Sequence, residues 1–392
     1  MAKLGLVITQ VRGVSYSPKD LHDSLNDESI ILLRANNIKD GKINFDDVVY
    51  IDKKKVNKNQ YLCRGDVLIC TSSGSKELVG KAAFFSENTI ATFGAFCKVI
   101  RPSIPCKEFI GHFFNSPFYR REISSLSSGA NINNIRNEHI DNLEMNLPTE
   151  NIQEAITRRL NFVNSLIESR QKQLSKLDQL VKSRFIEMFG DVYLNTMSWD
   201  EKDLESIADI VSGITKGRKV KNKKLKEVPY MAVSNVKDGY IDWSTVKKID
   251  VTDEEIIRYR LLKDDVLITE GGDPDKVGRG AIIKNPLENC IHQNHIFRVR
   301  LNKLIVLPVF FAEYLQHQKS KRYFLSCAKQ TTGIASINMK QLKSLPVLLP
   351  PIKLQRQFSD FIQQVEKAKL SVKQSLDKLE TLKKSLMQEY FG

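Results

Sequence analysis

The densest group of reactive side chains in this sequence is basic. Lys216, Arg218, Lys219, Lys221, Lys223, Lys224 and Lys226 fall within eleven residues, following Gly213 and interrupted by Gly217. A loop of that composition suits neutralisation of phosphates rather than proton transfer. Lys53, Lys54, Lys55 and Lys58 make a weaker counterpart. The candidates for catalysis fail on spacing. Asn115-Ser116-Pro117-Phe118-Tyr119 looks like the Asn-Pro-Pro-Tyr/Phe loop that holds the target amine in adenine methyltransferases, but its second residue is Ser and no Gly-rich cofactor loop accompanies it. Pro117 instead suits the first position of a helix. Gly271 to Gly280 lacks the Walker spacing and predicts a turn after a strand. His292 and His295 have no third ligand at a plausible spacing, so no metal is expected, and no residue is assigned a catalytic role.

The chain has 60 Lys and Arg against 46 Asp and Glu, a formal charge of +14, which attracts polyanions. Both halves are positive: residues 1–190 hold 26 basic and 21 acidic residues, and residues 191–392 hold 34 and 25. With 41% hydrophobic and 27% charged residues, the composition is globular rather than disordered. The six cysteines form no Cys-x-x-Cys pair, which predicts free thiols in a reducing compartment. No apolar stretch approaches 18 residues and the N-terminus has no secretory pattern, so a cytoplasmic location is expected.

The positions that must hold these loops are set by an internal repeat. Leu4 to Val14 matches Leu204 to Ile214 at a shift of 200, keeping Leu, Val and Gly in place. Asn37 to Ile43 (NIKDGKI) returns as Asn235 to Ile241 (NVKDGYI), Asp66 to Ile69 (DVLI) as Asp265 to Ile268, and Val79 to Ala83 as Val277 to Ala281. Gly129 aligns with Gly333 and Leu143 with Leu345, and then Pro148 to Gly190 runs without a gap alongside Pro350 to Gly392. The chain is a tandem duplication of a unit of about two hundred residues.

Each unit changes character at its proline. Before it, short β-rich runs alternate with Gly, Asn and Asp turns and a few helical pieces, Pro117 to Ser127 and Pro308 to Leu325 among them, which predicts a mixed α/β globule. After it come about forty residues without Gly or Pro until a final Phe-Gly, one long helix per unit. Ile156, Leu160, Val163, Ile167, Leu174, Leu177, Val181 and Met188 form a heptad seam broken by Arg170 and Arg184. Phe358, Ile362, Val365, Val372, Leu376, Leu379, Leu386 and Tyr390 form a second, broken by Lys369 and Lys383. The breaks do not coincide, so each seam can cover the other's polar defects. The expected architecture is α+β with a pseudo-two-fold internal repeat: globules over 1–147 and 191–349, and helices over 148–190 and 350–392 forming an antiparallel coiled coil between them. A helix of forty residues spans roughly 60 Å, so the pair would act as a ruler between the two globules.

Two related basic globules on a stiff spacer suit two separated places on double-stranded DNA. Because the globules have diverged outside the shared blocks, the implied target is split and asymmetric, with an unread gap. The paired globules, the helices entered by Leu147-Pro148 and Leu349-Pro350-Pro351, the Lys-Asp-Gly and DVLI blocks and the Phe-Gly endings resemble the specificity subunit of type I restriction–modification systems. That resemblance covers essentially the whole chain. It implies two target-recognition domains and no active site, with assembly onto two modification subunits that methylate adenine using S-adenosylmethionine and onto motor-nuclease subunits. No cofactor is expected on this chain itself.

Base reading is expected where two copies of one scaffold differ, in loops after equivalent strands. Ser72, Ser73, Ser75 and Lys76 stand opposite Gly272, Asp273 and Lys276 in the alignment, and Phe96 opposite Gln293, Asn294 and His295. Gln and Asn match adenine, and Lys or Arg guanine. Asn131, Asn133 and Arg136 are further candidates, with the lysine runs as phosphate contacts. On the helices, the outward Arg158, Arg159, Lys172 and Lys176 are the expected partner-binding face. Two rival functions are a stand-alone adenine methyltransferase with its own recognition domain and a DNA-bridging protein unconnected to modification.

Overall fold

The computed structural model describes residues 1–75, 77–126, 134–218, 224–273, 276–331 and 334–392. Two compact units divide the chain, Met1–Lys172 with Val372–Gly392, and Gln173–Ser371. Each owns one globule and part of both long helices. The first contains β1 (Ile8–Arg12), β2 (Ser29–Leu33), β3 (Val49–Asp52), β4 (Val67–Cys70), β5 (Ala82–Phe84), β6 (Ala91–Phe93) and β7 (Cys97–Pro102), then α1 (Lys107–Phe114), α2 (Pro117–Leu126) and the start of α3 (Glu150–Phe189). The second contains β8 (Ala208–Ser212), β9 (Lys226–Met231), β10 (Lys247–Val251), β11 (Val266–Thr269), β12 (Gly280–Ile282), β13 (Ile291–His292) and β14 (Ile296–Leu301). Its helices are α4 (Asp253–Tyr259), α5 (Pro308–Tyr314), α6 (Gln318–Cys327) and the start of α7 (Ile352–Phe391).

The duplication is carried into topology. The strand order β1-β7-β4-β5 recurs as β8-β14-β11-β12, with antiparallel pairing throughout. Beside it, β2 pairs parallel with β6 and antiparallel with β3, and β9 repeats both pairings with β13 and β10. Strands β4 and β11, from the repeated DVLI block, are buried at every position, so they read as continuous apolar runs instead of alternating ones. A Cβ at Gly13 would meet the Gly94 carbonyl oxygen at 2.1 Å, and one at Gly213 would meet that of His292 at 2.1 Å. Glycine recurs there because two backbones touch. The Asn of the NIKDG and NVKDG blocks is likewise structural: Asn37 donates to the Asn44 and Asp47 carbonyls at 2.9 Å each, and Asn235 donates to the Asp242 carbonyl and Thr245 Oγ1 at 3.0 Å each.

Helices α3 and α7 run antiparallel within each unit. In the first, Arg159 Nη1 donates to Tyr390 Oη at 3.2 Å and Arg170 Nε to Ser375 Oγ at 3.2 Å. In the second, Lys369 Nζ meets Asp178 Oδ1 at 2.7 Å. Two of the four polar breaks thus find a polar partner on the facing helix. Burial works against the charge on Lys369, and Asp178 and Glu366 outweigh it, holding its pKa above the usual lysine value. Arg184 instead lies over the Phe361 ring, 5.8 Å from its centroid, and pairs with Glu187 on its own helix.

The heptad reading needs one correction. Phe185, Phe189, Met387 and Phe391, absent from both seams, are buried, whereas Ile167, Leu174, Leu177, Ile362, Val372, Leu376, Leu379, Leu386 and Tyr390 are half-buried. The closing turn of each helix is packed by a globule as well as by its partner helix, which widens the apolar face beyond the two-in-seven strip of a coiled coil. Phe391 meets Phe109 at 5.2 Å between ring centroids, and Phe185 stacks on Phe310 at 5.5 Å. A second correction concerns Pro308 to Leu325, expected as one helix. It is two, α5 and α6, because His317 takes extended backbone and Ser320 Oγ donates to the Tyr314 carbonyl at 3.0 Å. Among the described residues no helix is long and apolar enough to cross a membrane.

Candidate nucleic-acid interface

The same backbone frame gathers the predicted reading loops in both units. In the first, the Phe96 carbonyl accepts from Thr71 N at 2.9 Å and Ser72 N at 3.2 Å, and Ile135 N donates to the Thr71 carbonyl at 2.8 Å. Ser72 bridges Asn134 and Val14 bridges Gly94. In the second, Glu270 N donates to the His295 carbonyl at 3.0 Å and Ile337 N to the Glu270 carbonyl at 2.8 Å. Gly271 pairs with Ser336, so part of the expected turn is strand, and Ile214 bridges Gln293. Ser72, Ser73, Phe96 and the segment leading to Arg136 therefore come together, as do Gly272, Asp273 and Gln293 to His295. Lys76, Asn131, Asn133, Lys219, Lys221 and Lys223 lie outside the described residues.

In the first unit, Phe96 stands 71% exposed at the rim of a cleft of about 450 Å³, which Tyr16, Arg34, Asn36, Ser72 and Ser73 also line. Arg34 pairs with Asp47 at 3.3 Å. Ser73 Oγ accepts from Ser75 N at 3.2 Å, and Arg136 pairs with Glu138 at 3.3 Å. Much of the Lys53 to Lys55 run is tied down locally: Lys55 meets Asp20 at 2.9 Å and Lys53 donates to the Asp27 carbonyl at 2.7 Å. Hydrogen bonds from Ser17 and Lys55 hold Asp20 down at about 2. The Lys54 ammonium makes no ion pair among the described residues.

In the second unit, the Ile214–Gln293 bridge sets the start of the Lys216 to Lys226 run beside the predicted reading loop. Its members do different work. Arg218 grips Glu255 of α4, with Nε at 2.7 Å from Oε1 and Nη2 on Oε2, and Lys226 pairs with Asp253 at 2.7 Å. Lys216 and Lys224 are exposed. Asp273 pairs with Lys276, whose hydrogen bond lowers the carboxyl pKa. Gln293 Oε1 accepts from Val233 N at 3.4 Å, turned toward the scaffold. His295 Nδ1 meets Glu270 Oε2 at 2.5 Å, and Asn294 Nδ2 meets His295 Nε2 at 3.2 Å. Sequence reasoning missed Glu270, although it directly follows the DVLIT strand opposite Thr71, where the two copies diverge.

The alternative chemistry dissolves into structure. Asn115 Nδ2 donates to the Gly111 carbonyl at 2.9 Å, Pro117 opens α2, and Tyr119 is wholly buried among aromatic rings. His292 is buried between the Tyr259 and Val211 carbonyls at 3.1 and 3.3 Å, and burial pushes its pKa down to about 4. Among the described residues no group of three or more His, Cys, Asp or Glu is placed to hold a metal. All six cysteines are free thiols, and burial pushes those of Cys97 and Cys290 up to about 12, far from nucleophile range. On the helices, Arg158 pairs with Glu154 at 3.2 Å and Arg159 is engaged by Tyr390, while Lys172 and Lys176 are exposed.

Comparison with known proteins agrees with this arrangement. The family model described as the type I restriction modification DNA specificity domain matches twice, over residues 9–179 and 197–381. The chain is 29% identical over 408 residues to the type I restriction enzyme EcoKI specificity subunit of Escherichia coli (strain K12), covering 100% of this chain and 88% of that protein. It is 28% identical over 409 residues to the StySPI specificity subunit of Salmonella potsdam, with the same coverage. Among solved structures, the type I restriction-modification S subunit from M. genitalium aligns with a TM-score of 0.55 at 14% identity, over 100% of this chain and 95% of that one. A chain from a structural study of complex assembly and conformational transition of the type I R-M system aligns with a TM-score of 0.53 at 17% identity, over 100% and 99%.

Proposed function

Because the chain belongs to the family of type I restriction–modification DNA-specificity subunits, we propose that its two units each read one half of a split, asymmetric DNA site for two modification subunits. The observation that carries this is the doubled frame. Thr71–Phe96 and Glu270–His295 hold one backbone geometry at matching places, while the side chains presented there differ. A scaffold kept twice with its loops changed is a reader of two different sequences. The transferred methyl group comes from S-adenosylmethionine held by the modification subunits, this chain binding no cofactor, and restriction subunits join the same assembly. The location is cytoplasmic, where host DNA is.

A second feature supports two copies of one partner. Lys176, Leu180, Ser183 and Glu187 of α3 recur as Lys378, Leu382, Ser385 and Glu389 of α7, and all eight are exposed. Packing gives no reason to keep exposed residues identical in a diverged repeat. A common partner docked at each helix does, and exposed Leu180 and Leu382 are natural apolar anchors. Lys176 is the one expected docking residue that belongs to this set.

Co-expression with the modification subunit from the same operon tests the reading. The expected result is a complex containing one copy of this chain and two of its partner by native mass. That complex methylates adenine in duplex DNA, and neither component does so alone. Methyl transfer by this chain alone, or failure of the two proteins to associate, overturns it.

A further inference from the structure

The reading loop of the second unit holds three polar residues that diverge as a set. Glu270, Asn294 and His295 align at one shift of 199 with Thr71, Ala95 and Phe96. Beneath them the backbone frame is the same, 2.9 Å from Thr71 N to the Phe96 carbonyl and 3.0 Å from Glu270 N to that of His295. The fold accepts either set. Replacing all three together changes what the loop presents, not how it is built.

The geometry of the polar set is directional. A carboxylate only accepts, so His295 Nδ1 carries the proton that it gives to Glu270 Oε2 at 2.5 Å. Its Nε2 is then the acceptor for Asn294 Nδ2 at 3.2 Å. This engages one N–H of the Asn294 amide and orients the group, leaving its second N–H and its Oδ1 for another partner. The backbone below is clamped as well: Asn294 N donates to the Ile214 carbonyl at 3.1 Å, and Ser212 Oγ donates to the Asn294 carbonyl at 2.7 Å. Of the three polar side chains on this turn, Gln293 is turned to Val233 and His295 is held by Glu270. Asn294 is the one left with an oriented donor and acceptor pair, the complement of the N7 and N6 amino group of adenine in the major groove. Its preorganisation is what makes such a contact selective.

We propose that Asn294 is the adenine-reading side chain of the second unit, and that Glu270 and His295 are positioning residues that fix its amide. The first unit, with Ala95 and Phe96 at these places, makes no such contact. The inference rests on the DNA-recognition reading above and names the base and the residue.

The test uses the assembled complex and duplexes carrying its methylated site, with each adenine replaced in turn by 7-deazaadenine, which lacks the N7 acceptor. The wild-type complex should lose about tenfold in affinity at one adenine of one half-site. Asn294→Ala should bind the natural site about as weakly and be indifferent to that replacement, since the contact is already gone. Glu270→Ala, which leaves Asn294 in place, should lose part of the same sensitivity while replacements in the other half-site act as in wild type. Losses from 7-deazaadenine and Asn294→Ala that multiply at every adenine would overturn the inference, as would unchanged sensitivity in Glu270→Ala. A wild-type complex that neither binds nor methylates duplex DNA would instead sink the recognition reading.

Discussion

Arg101 grips Asp66 through two parallel hydrogen bonds, Nε to Oδ1 at 2.9 Å and Nη2 to Oδ2 at 2.7 Å. Arg300 grips Asp265 in the same way at 2.7 and 2.8 Å. Each aspartate is 1% exposed and also accepts a backbone N–H, from Cys63 at 2.8 Å and from Leu262 at 2.7 Å. The Asp that opens each DVLI block is therefore the buried half of a bidentate ion pair, which explains its recurrence without any role in recognition.

Breaking one of these pairs should weaken its own unit. Asp265→Asn is expected to cost about 3 kcal/mol, because the neutral amide leaves Arg300 without its counter-charge. Hydrogen exchange should show protection lost in β11 and β14 and kept in β4 and β7. Asp66→Asn should give the mirror result.

Acid should destabilise both units through buried imidazoles. Burial pushes His292 and His112 down to about 4, against about 6.5 in an unfolded chain. Above pH 6.5 both states are neutral and the contribution is complete. As the pH falls toward 4 the unfolded chain takes up a proton that the folded one refuses, so stability drops by about 2 kcal/mol per histidine between pH 7 and 5. Denaturant midpoints at the two pH values check this, and His292→Gln should flatten the slope.

The basic run should separate by role. Neutralising exposed Lys216 and Lys224 with Ala should weaken DNA binding about equally for all sequences and lower the slope of log affinity against log salt by about 2. Arg218→Ala should instead destabilise the second unit, since Arg218 is bound by Glu255. A titration of affinity against salt and a thermal melt tell the two apart.

Docking should be lost one copy at a time. Leu180→Glu and Leu382→Glu, both at exposed positions, should each leave the chain folded and remove one modification subunit from the complex. The double variant should remove both, read by native mass spectrometry.

The sequence carried the repeat and the two long helices, because these rest on periodicity, length and recurring blocks. It also singled out the loops after equivalent strands, since divergence between two copies of one scaffold marks them, and the structure brings those loops together on one backbone frame in each unit. What it could not distinguish was which polar residues face inward. Arg218 and Lys216 look alike as letters, and the Glu255 that claims Arg218 lies 37 residues away. The buried helix ends escaped for a similar reason: Phe189 and Phe391 end runs whose heptads describe one neighbour, whereas the structure gives those turns two. Glu270 escaped because a carboxylate beside a basic loop reads as solvated surface until His295 is placed against it.

Sequencing the methylated adenines of the host genome with and without this chain tests the central claim most directly. Two different readers on one scaffold predict that deletion erases a single split motif, with dissimilar halves separated by bases of any identity, and that restoring the gene restores it. A methylation pattern unchanged by deletion would contradict the account, as would loss of a continuous or perfectly palindromic motif.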